Sequence, residues 1–318
     1  MSVTPVVIWI VVFVISLYVL IRASDYFTGA AAKIGLSFGI PDFIIGVTIV
    51  AIGTSLPEIV SSVIAVVRHS SEMVVGNVVG SNIANIFLVL GIAAVIGKKL
   101  TITYDLVHID LPLLMGSAFL LAITIVDGKF TLLEAMLCMS GLIVYLLHAI
   151  SVEKRRTGVM AQKEIKLGKE LRGKTFVVLV LSGVFIFIGA KYTVESVIQL
   201  SALLHLGTEV IAASAVALGT SLPELMVTIS AARKGMPEIA IGNVLGSNIF
   251  NALAVMGIPG LIGTLVIPQN ILLFGLPMMI IATLLFFFMG QDKEITQWEG
   301  WLLIIFYVFF IVKLFNLG

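Results

Sequence analysis

The chain has 318 residues, of which 59% are hydrophobic and only 12% are charged, and its mean hydropathy is +1.16. Soluble domains carry about 25% charged residues, so this composition excludes an ordinary soluble protein and predicts an all-α polytopic membrane protein. The net charge is +1 and no basic patch is interleaved with aromatic residues, so no nucleic-acid partner is expected.

Apolar runs recur along the whole chain and predict ten transmembrane helices, because about 20 apolar residues are enough to cross a bilayer. The predicted spans are 4–21, 43–67, 73–97, 108–126, 130–151, 175–194, 209–232, 238–263, 270–290 and 297–316. The first apolar run lacks a basic lead-in and a cleavage motif, so we expect a retained span rather than a signal peptide. Cys138 is the single cysteine, so no internal disulfide is expected.

The distribution of Lys and Arg predicts the orientation of these spans. The segment 153–174 holds eight of them, and an excess of Lys and Arg marks cytoplasmic loops. With that segment inside, 15 basic residues face the cytoplasm and 4 face outward. We therefore expect a multi-pass protein of the cell membrane with extracellular termini and a cytoplasmic linker. An extra or missing span near 22–42 is the alternative, and it would invert the first half.

The chain contains an internal repeat. A shift of 166 residues aligns 50–97 with 216–263 without a gap, and 23 of the 48 positions are identical. Each half then holds five spans, and because five is odd the second half enters the membrane inverted. The predicted organisation is two inverted five-helix repeats, 1–152 and 175–318, joined by the basic linker 153–174. Inverted repeats are typical of secondary transporters, whose sites lie near the midplane on interrupted helices.

The hexapeptide GTSLPE occurs at 53–58 and again at 219–224. Its Pro has no N–H, so the carbonyl four residues back, on Gly53 in the first copy, loses its helical partner. A cation can satisfy such a carbonyl, although a kink satisfied by a neighbouring Ser or Thr is the alternative. The two carboxylates, Glu58 and Glu224, lie in the interior half of their spans, where charges are costly and usually functional.

The following span of each repeat carries a polar stripe with a spacing of four residues. The stripe comprises Asn77, Ser81 and Asn85 in the first copy and Asn243, Ser247 and Asn251 in the second. Asn77, Asn243 and two further amides, Asn82 and Asn248, are equally consistent with hydrogen bonds between helices. Small-residue pairs predict that another backbone comes close to these spans. The pairs are Gly76 with Gly80 and Gly242 with Gly246.

The candidate site offers oxygen alone: carboxylates, hydroxyls, amides and backbone carbonyls. Hard cations prefer such ligands, and Ca²⁺ takes about 6–8 oxygens. Two glutamates balance one Ca²⁺ or two Na⁺. The lack of nitrogen and sulfur ligands disfavours Zn²⁺ and transition metals, and Mg²⁺ fits less well because it keeps its waters.

The paired GTSLPE and GNVxGSNI blocks resemble the alpha-repeats of the cation/calcium antiporter superfamily, and they are similar to those of its prokaryotic sodium/calcium exchanger branch. The resemblance implies exchange of several Na⁺ for one Ca²⁺ by alternating access, with the ions held by spans 2, 3, 7 and 8 while spans 1 and 6 slide. It implies that the protein is not an enzyme, carries no prosthetic group and needs no obligate protein partner. The expected partners are the transported Ca²⁺ and Na⁺ ions and the lipid bilayer. The ligands it implies are Ala51, Thr54, Ser55, Glu58, Ser81, Asn85, Ala217, Thr220, Ser221, Glu224, Ser247 and Asn251.

One position departs from part of that superfamily. Many members carry Asp where this chain has Asn251, and the loss of a carboxylate argues against K⁺ co-transport. The hydroxyls of the hexapeptide favour Na⁺ over H⁺ coupling. An H⁺/Ca²⁺ exchanger and a cation channel remain alternatives, while an intramembrane hydrolase lacks a His or Lys at useful spacing from Ser55 or Ser221.

Overall fold

The computed structural model describes residues 3–37, 55–101, 110–156, 169–233, 235 and 237–315. Helices account for nearly all of this part of the chain. The α-helices are α1 Val3–Ser37, α2 Leu56–Val67, α3 Glu72–Ile83, α4 Gly91–Gly97, α5 Leu111–Ile125, α6 Leu132–Arg156, α7 Lys169–Leu204, α8 Thr208–Ile211, α9 Ala217–Thr220, α10 Leu222–Arg233, α11 Pro237–Phe250, α12 Met256–Gly260, α13 Leu276–Gln291 and α14 Gln297–Leu314.

Wider π-helical turns connect several of these helices. They are Ala84–Leu90, Ala212–Val216, Asn251–Val255 and Ile271–Gly275. Two of them, 84–90 and 251–255, continue the central helices of the two repeats at equivalent places, and they contain Asn85 and Asn251. Such π turns are rare and are frequent at functional sites.

Two helical runs form the centre of the molecule. The run 72–97 combines α3, its π turn and α4, and the run 239–260 is its equivalent in the second half; 78% of each apolar window is buried. Buried apolar side chains such as Val78, Ile83 and Val244 pack along them. The candidate site residues on these runs are therefore surrounded by protein.

The long helices α1 and α7 form a peripheral pair. Only 28% and 33% of their apolar windows are buried, which suits helices that face lipid. They approach closely, because a Cβ placed on Gly189 would lie 2.8 Å from the backbone nitrogen of Leu20. The Thr193 hydroxyl also lies 3.1 Å from the Ser16 hydroxyl. The pair therefore packs more tightly on itself than on the centre.

Two short antiparallel β ladders join connecting segments that are far apart in the chain. The sequence patterns did not predict them. The strands are β1 Lys99–Thr101, β2 Lys129–Phe130, β3 Leu265–Val266 and β4 Glu294–Thr296. β1 pairs with β4, placing Leu100 opposite Ile295, and β2 pairs with β3, placing Phe130 opposite Leu265. The 166-residue shift carries the first ladder onto the second, so the internal symmetry extends beyond the helices.

Within the described residues, six helices are long and apolar enough to cross a membrane. A seventh candidate is the bent pair Thr208–Thr220 and Leu222–Arg233, and three shorter apolar helices cover 56–67, 111–125 and 132–148. The structure is thus an all-helical membrane architecture with about six full-length spans by this criterion. Helices α6 and α7 also extend into the basic linker from both sides, to Arg156 and from Lys169.

Candidate functional site

The second hexapeptide forms a break between two helices. α9 ends at Thr220, α10 begins at Leu222, and the helices are bent by 40° at Ser221. Pro223 lies in the first turn of α10, where a missing N–H costs nothing, and the Ser221 N–H donates to the carbonyl of Ala217 at 3.1 Å. The interruption predicted for this hexapeptide is confirmed, and it is a new helix start rather than a kink.

The described part of the first hexapeptide has the same geometry. Ser55 precedes α2 with φ −88° and ψ 8°, close to the −80° and 3° of Ser221. The Ile59 N–H donates to the Ser55 carbonyl at 3.0 Å, as the Leu225 N–H does to that of Ser221. The remaining predictions for this copy, including those for Gly53 as well as the proposed ligands Ala51 and Thr54, lie outside the described residues.

The two carboxylates are buried at the start of these helices. Glu58 and Glu224 are each 1% exposed and lie in the first turns of α2 and α10, where the positive end of the helix dipole favours a carboxylate. The Glu58 carboxylate lies beside the Thr220 side chain and is close enough to Glu224 for their charges to interact. The two hexapeptides, 166 residues apart, therefore meet at one point inside the protein.

The polar stripes of the central helices are buried too, apart from Asn243, which is half-buried. Ser81, Asn85, Ser247 and Asn251 are each at most 6% exposed, and Ser55, Ser221, Thr220 and Ala217 are at most 2% exposed. The structure thus buries every candidate site residue that it describes. Thr220 also donates to the carbonyl of Val216, at 3.1 Å.

Several buried side-chain oxygens have no hydrogen-bond partner within the part of the chain that is described. They are Glu58 Oε2, Asn77 Oδ1, Ser81 Oγ, Asn82 Oδ1, Asn85 Oδ1, Ser221 Oγ, Asn248 Oδ1 and Asn251 Oδ1. Buried polar atoms are normally paired, since an unpaired one costs about 1–3 kcal/mol. Every atom of this set is an oxygen, and a hard cation is the ligand that satisfies oxygens of this kind.

Two equivalent amides hold the stripe helices against the hexapeptide helices. Asn243 donates to the Thr228 hydroxyl at 2.9 Å and to the Glu224 carbonyl at 3.1 Å. Asn77 donates in the same way to the Ser62 hydroxyl, at 3.4 Å. The side-chain NH₂ groups of these two residues therefore link helices by hydrogen bonds, as one of the two sequence-based interpretations expected.

Two further amides lie where the repeats meet. The Asn82 side chain donates to the backbone carbonyl of Asn248, its own repeat equivalent, at 3.4 Å. The Asn248 side chain donates to the Val244 carbonyl at 2.6 Å. Both amides use their nitrogen on a fixed carbonyl, which leaves their oxygens for another partner. The sequence identified both residues as candidates for hydrogen bonds between helices, but only the structure shows that they contact each other.

A match to a known family model identifies the family of this chain. The family model described as sodium/calcium exchanger protein matches residues 8–151 and 174–316. The chain belongs to the sodium/calcium exchanger family.

Individual members of the sodium/calcium exchanger family resemble the chain over nearly its whole length. The sodium/calcium exchanger MaX1 of Methanosarcina acetivorans is 37% identical, with 96% of this chain and 97% of MaX1 aligned. The inner membrane protein YrbG of Escherichia coli is 31% identical over 78% of each chain. A structure of the sodium-calcium exchanger NCX_Mj soaked with Na⁺ and Sr²⁺ is 28% identical, with a TM-score of 0.66 over 97% of this chain and 99% of that one. The predicted resemblance to the sodium/calcium exchanger branch is confirmed.

Among the described residues, Glu58 and Glu224 are the acidic side chains of the candidate site. No group of three or more His, Cys, Asp or Glu side chains is gathered in the described ranges. The other candidate ligands are neutral hydroxyl and amide oxygens. The arrangement can therefore neutralise two positive charges while offering several more oxygens.

Glycines permit the close helix contacts beside the site. A Cβ on Gly76 would lie 2.5 Å from the carbonyl oxygen of Glu209, and one on Gly80 would overlap the backbone of Ala213. The predicted close backbone approach is confirmed for this pair. The repeat-equivalent partners of Gly242 and Gly246 fall at 43–47, a stretch that the structure does not describe.

One contact was missed by the sequence reasoning. The Leu17 side chain of α1 covers Gly219, so that a Cβ at that glycine would overlap it. Leu17 is one of many aliphatic residues in a mostly apolar run, and nothing in the sequence distinguishes it from them. The contact connects the peripheral helix pair directly to the interrupted helix.

Proposed function

We propose that the protein is a secondary active antiporter that exchanges Na⁺ for Ca²⁺ across the membrane by alternating access. The observation that carries the proposal is the meeting of Glu58 from the first repeat with Thr220 and Glu224 from the second, in a buried position. Two converging carboxylates surrounded by neutral oxygens suit one Ca²⁺, or Na⁺ ions in its place. The names of MaX1 and NCX_Mj support the same activity.

The ions are proposed to bind oxygens from both repeats. Glu58 and Glu224 are the central ligands, and hydroxyls, amides and backbone carbonyls complete the shell. The neutral members of the set are Ala51, Thr54, Ser55, Ser81, Asn85, Ala217, Thr220, Ser221, Ser247 and Asn251. Their support is the burial of those that are described and the number of unpaired oxygens among them.

Ten transmembrane helices in two inverted repeats are proposed for the architecture. The six long helices, the bent pair and the three shorter apolar helices overlap the ten predicted spans one for one. The family model also matches two segments, one on each side of the linker. On this basis the division into 1–152, 153–174 and 175–318 is retained.

Contacts between connecting segments support the proposed topology. Ser71 accepts a hydrogen bond from Val266, and both residues lie in connections assigned to the outside. Asn270 donates to Glu209 at 2.9 Å, and both lie at the outer ends of predicted spans. On the opposite side, Lys99 forms an ion pair with Glu294. The ten-span arrangement with a cytoplasmic linker brings each of these pairs to one membrane surface.

We propose that transport does not depend on K⁺, because of the charge of the site. Asn251 is buried and neutral, so two carboxylates are available for the transported cations. A site occupied by Ca²⁺ or by Na⁺ is then balanced without a third, larger cation.

Flux measurements with purified protein in liposomes test the exchange. An outward Na⁺ gradient without a pH gradient should drive uptake of labelled Ca²⁺, and uptake should stop when Na⁺ is equal on both sides. Uptake driven only by a pH gradient would instead identify an H⁺/Ca²⁺ exchanger. External Ca²⁺ should accelerate the release of trapped Ca²⁺, and a lack of acceleration would identify a channel. Addition of K⁺ should leave the rates unchanged.

A further inference from the structure

An apolar groove runs along the outer surface of the helix core, between α2 and α7. Its volume is about 400 Å³. One wall is the face of α2 from Ile59 to Val67, and the facing wall includes Phe187 of α7. Val67 and Phe187 are 62% and 59% exposed, so the groove opens toward the surroundings of the helices. In a membrane those surroundings are lipid chains.

The groove has the dimensions of one acyl chain in one leaflet. Its α2 wall spans eight residue steps, which is about 12 Å at 1.5 Å per residue. A single leaflet occupies about half of the roughly 30 Å hydrocarbon core. Apart from its charged end, the lining is aliphatic and aromatic, so it suits a hydrocarbon chain and offers nothing to a hydrated ion.

Positive charge is concentrated at one end of this groove. Arg68 and Lys191 both line it. Arg68 forms an ion pair with Glu195 at 2.5 Å, whereas Lys191 contacts the Tyr192 ring at 5.8 Å and has no acidic partner among the described residues. Two cations and one carboxylate leave this end positive.

The charged end coincides with the predicted outer edge of the membrane. Arg68 caps the end of α2 and Lys191 lies near the end of the sixth predicted span. Lysine side chains at such positions extend toward the headgroups. A phosphate attached to a chain in the groove would therefore reach both cations.

We infer that this groove binds one anionic phospholipid, with an acyl chain between α2 and α7 and its phosphate on Lys191 and Arg68. The charge complementarity selects an anionic lipid over a zwitterionic one, whose own ammonium opposes the two cations. The site is separate from the buried oxygens that are proposed to hold ions. Its test is a binding measurement and does not depend on Ca²⁺ transport.

Native mass spectrometry of the delipidated full-length protein tests the inference, with phosphatidylglycerol and phosphatidylcholine of identical acyl chains as probes. Phosphatidylglycerol should bind more tightly. Lys191→Gln should lower its affinity roughly fivefold, since a basic residue near an anionic lipid contributes about 1 kcal/mol. Lys129→Gln, which removes an exposed lysine assigned to the same membrane side, is the matched control and should bind like the parent.

A second variant tests the acyl chain. Val63→Trp places a large side chain in the groove and should reduce binding of phosphatidylglycerol without any change of charge. Elution in size-exclusion chromatography confirms that each variant is folded. Equal binding of the two lipids, unchanged binding in Lys191→Gln or in folded Val63→Trp, or an equal loss in Lys129→Gln would overturn the inference.

Discussion

In the proposed exchange, the negative charge that binds the transported ions lies on two side chains, Glu58 and Glu224. Each is buried in the first turn of a helix that starts at a break in the membrane-spanning run. The helix N-terminus offsets part of the cost of a buried carboxylate, but two such charges close together repel each other. A bound cation removes that repulsion, which makes ion occupancy and the stability of the site interdependent.

Glu58→Gln and Glu224→Gln should each lower the rate of Ca²⁺ uptake in liposomes by about 100-fold or more. Each change keeps the shape of the side chain and removes one of the two buried charges that balance the transported cation. Removing one partner of a buried ion pair costs on the order of 3–5 kcal/mol. Asp292→Asn, at an exposed position after α13, is the control and should retain the parental rate. Full activity in either Gln variant would refute the central assignment.

Asn251→Asp should change the Na⁺ or K⁺ dependence of transport while the protein still folds. The change adds a third carboxylate beside unpaired oxygens, so the site then favours an additional positive charge. Initial Ca²⁺ fluxes measured over a series of Na⁺ and K⁺ concentrations report the effect, with size-exclusion chromatography as the check on folding. An unaltered ion profile would assign Asn251 to a structural link between helices.

At the scale of elements, the site depends on how closely helices approach. α3 lies against the α8 region because Gly76 and Gly80 carry no side chain. The contact is backbone to backbone, so neither partner can move aside without displacing a whole helix. This close approach keeps the polar stripe of one repeat beside the interrupted helix of the other.

Gly80→Ala should destabilise the protein by about 1–3 kcal/mol, as overpacking does in other interiors. The reason is that its Cβ would overlap the backbone of Ala213. Gly116→Ala is the matched control: it lies in α5 with nothing within 4 Å of its Cβ position, and it should be neutral or slightly stabilising. Thermal unfolding of the two purified variants gives the comparison. Equal midpoints would contradict the packing argument.

Leu17 and Gly219 should be energetically coupled. Gly219→Ala forces its Cβ against the Leu17 side chain, so it should lower the unfolding midpoint, and Leu17→Ala in the same chain should recover part of the loss. Residues in contact typically show coupling energies of about 0.5–3 kcal/mol. A double-mutant cycle from thermal or chemical unfolding measures this energy. Strictly additive effects would show that the contact does not join the peripheral pair to the site.

At the scale of the whole molecule, the symmetry is visible in contacts outside the site. The two β ladders are related by the 166-residue shift, and Asn82 bonds to its own equivalent, Asn248. In an inverted arrangement the equivalent ladders lie on opposite membrane surfaces. The topology can therefore be tested at these two places.

Cysteine labelling should separate the two ladders. In a Cys138→Ala background, which removes the buried native thiol, Lys129→Cys should react with a membrane-impermeant maleimide in intact cells. Lys99→Cys should react only after the membrane is permeabilised. Both native side chains are exposed, so access differs only by membrane side. Labelling of both in intact cells would exclude the inverted topology.

The sequence by itself determined the helical class, the repeat and the kind of atoms at the site. Helix spans depend on local composition, which the sequence gives directly. The repeat of GTSLPE is an exact sequence match, so Glu58, Glu224 and the Asn stripes could be identified without coordinates. The break at Ser221 also followed, because the effect of a Pro on its own helix is local.

Only the tertiary structure decided which of these groups are neighbours. The Glu58–Thr220 contact and the contact of Leu17 with Gly219 both join distant parts of the chain. Asn77 and Asn82 likewise donate their side-chain nitrogens to other helices, while their side-chain oxygens have no partner among the described residues. The short ladders and the groove beside Lys191 are also formed by segments that are distant in the chain. The physical reason is that composition and spacing act within a helix, whereas these contacts depend on how closely separate helices pack.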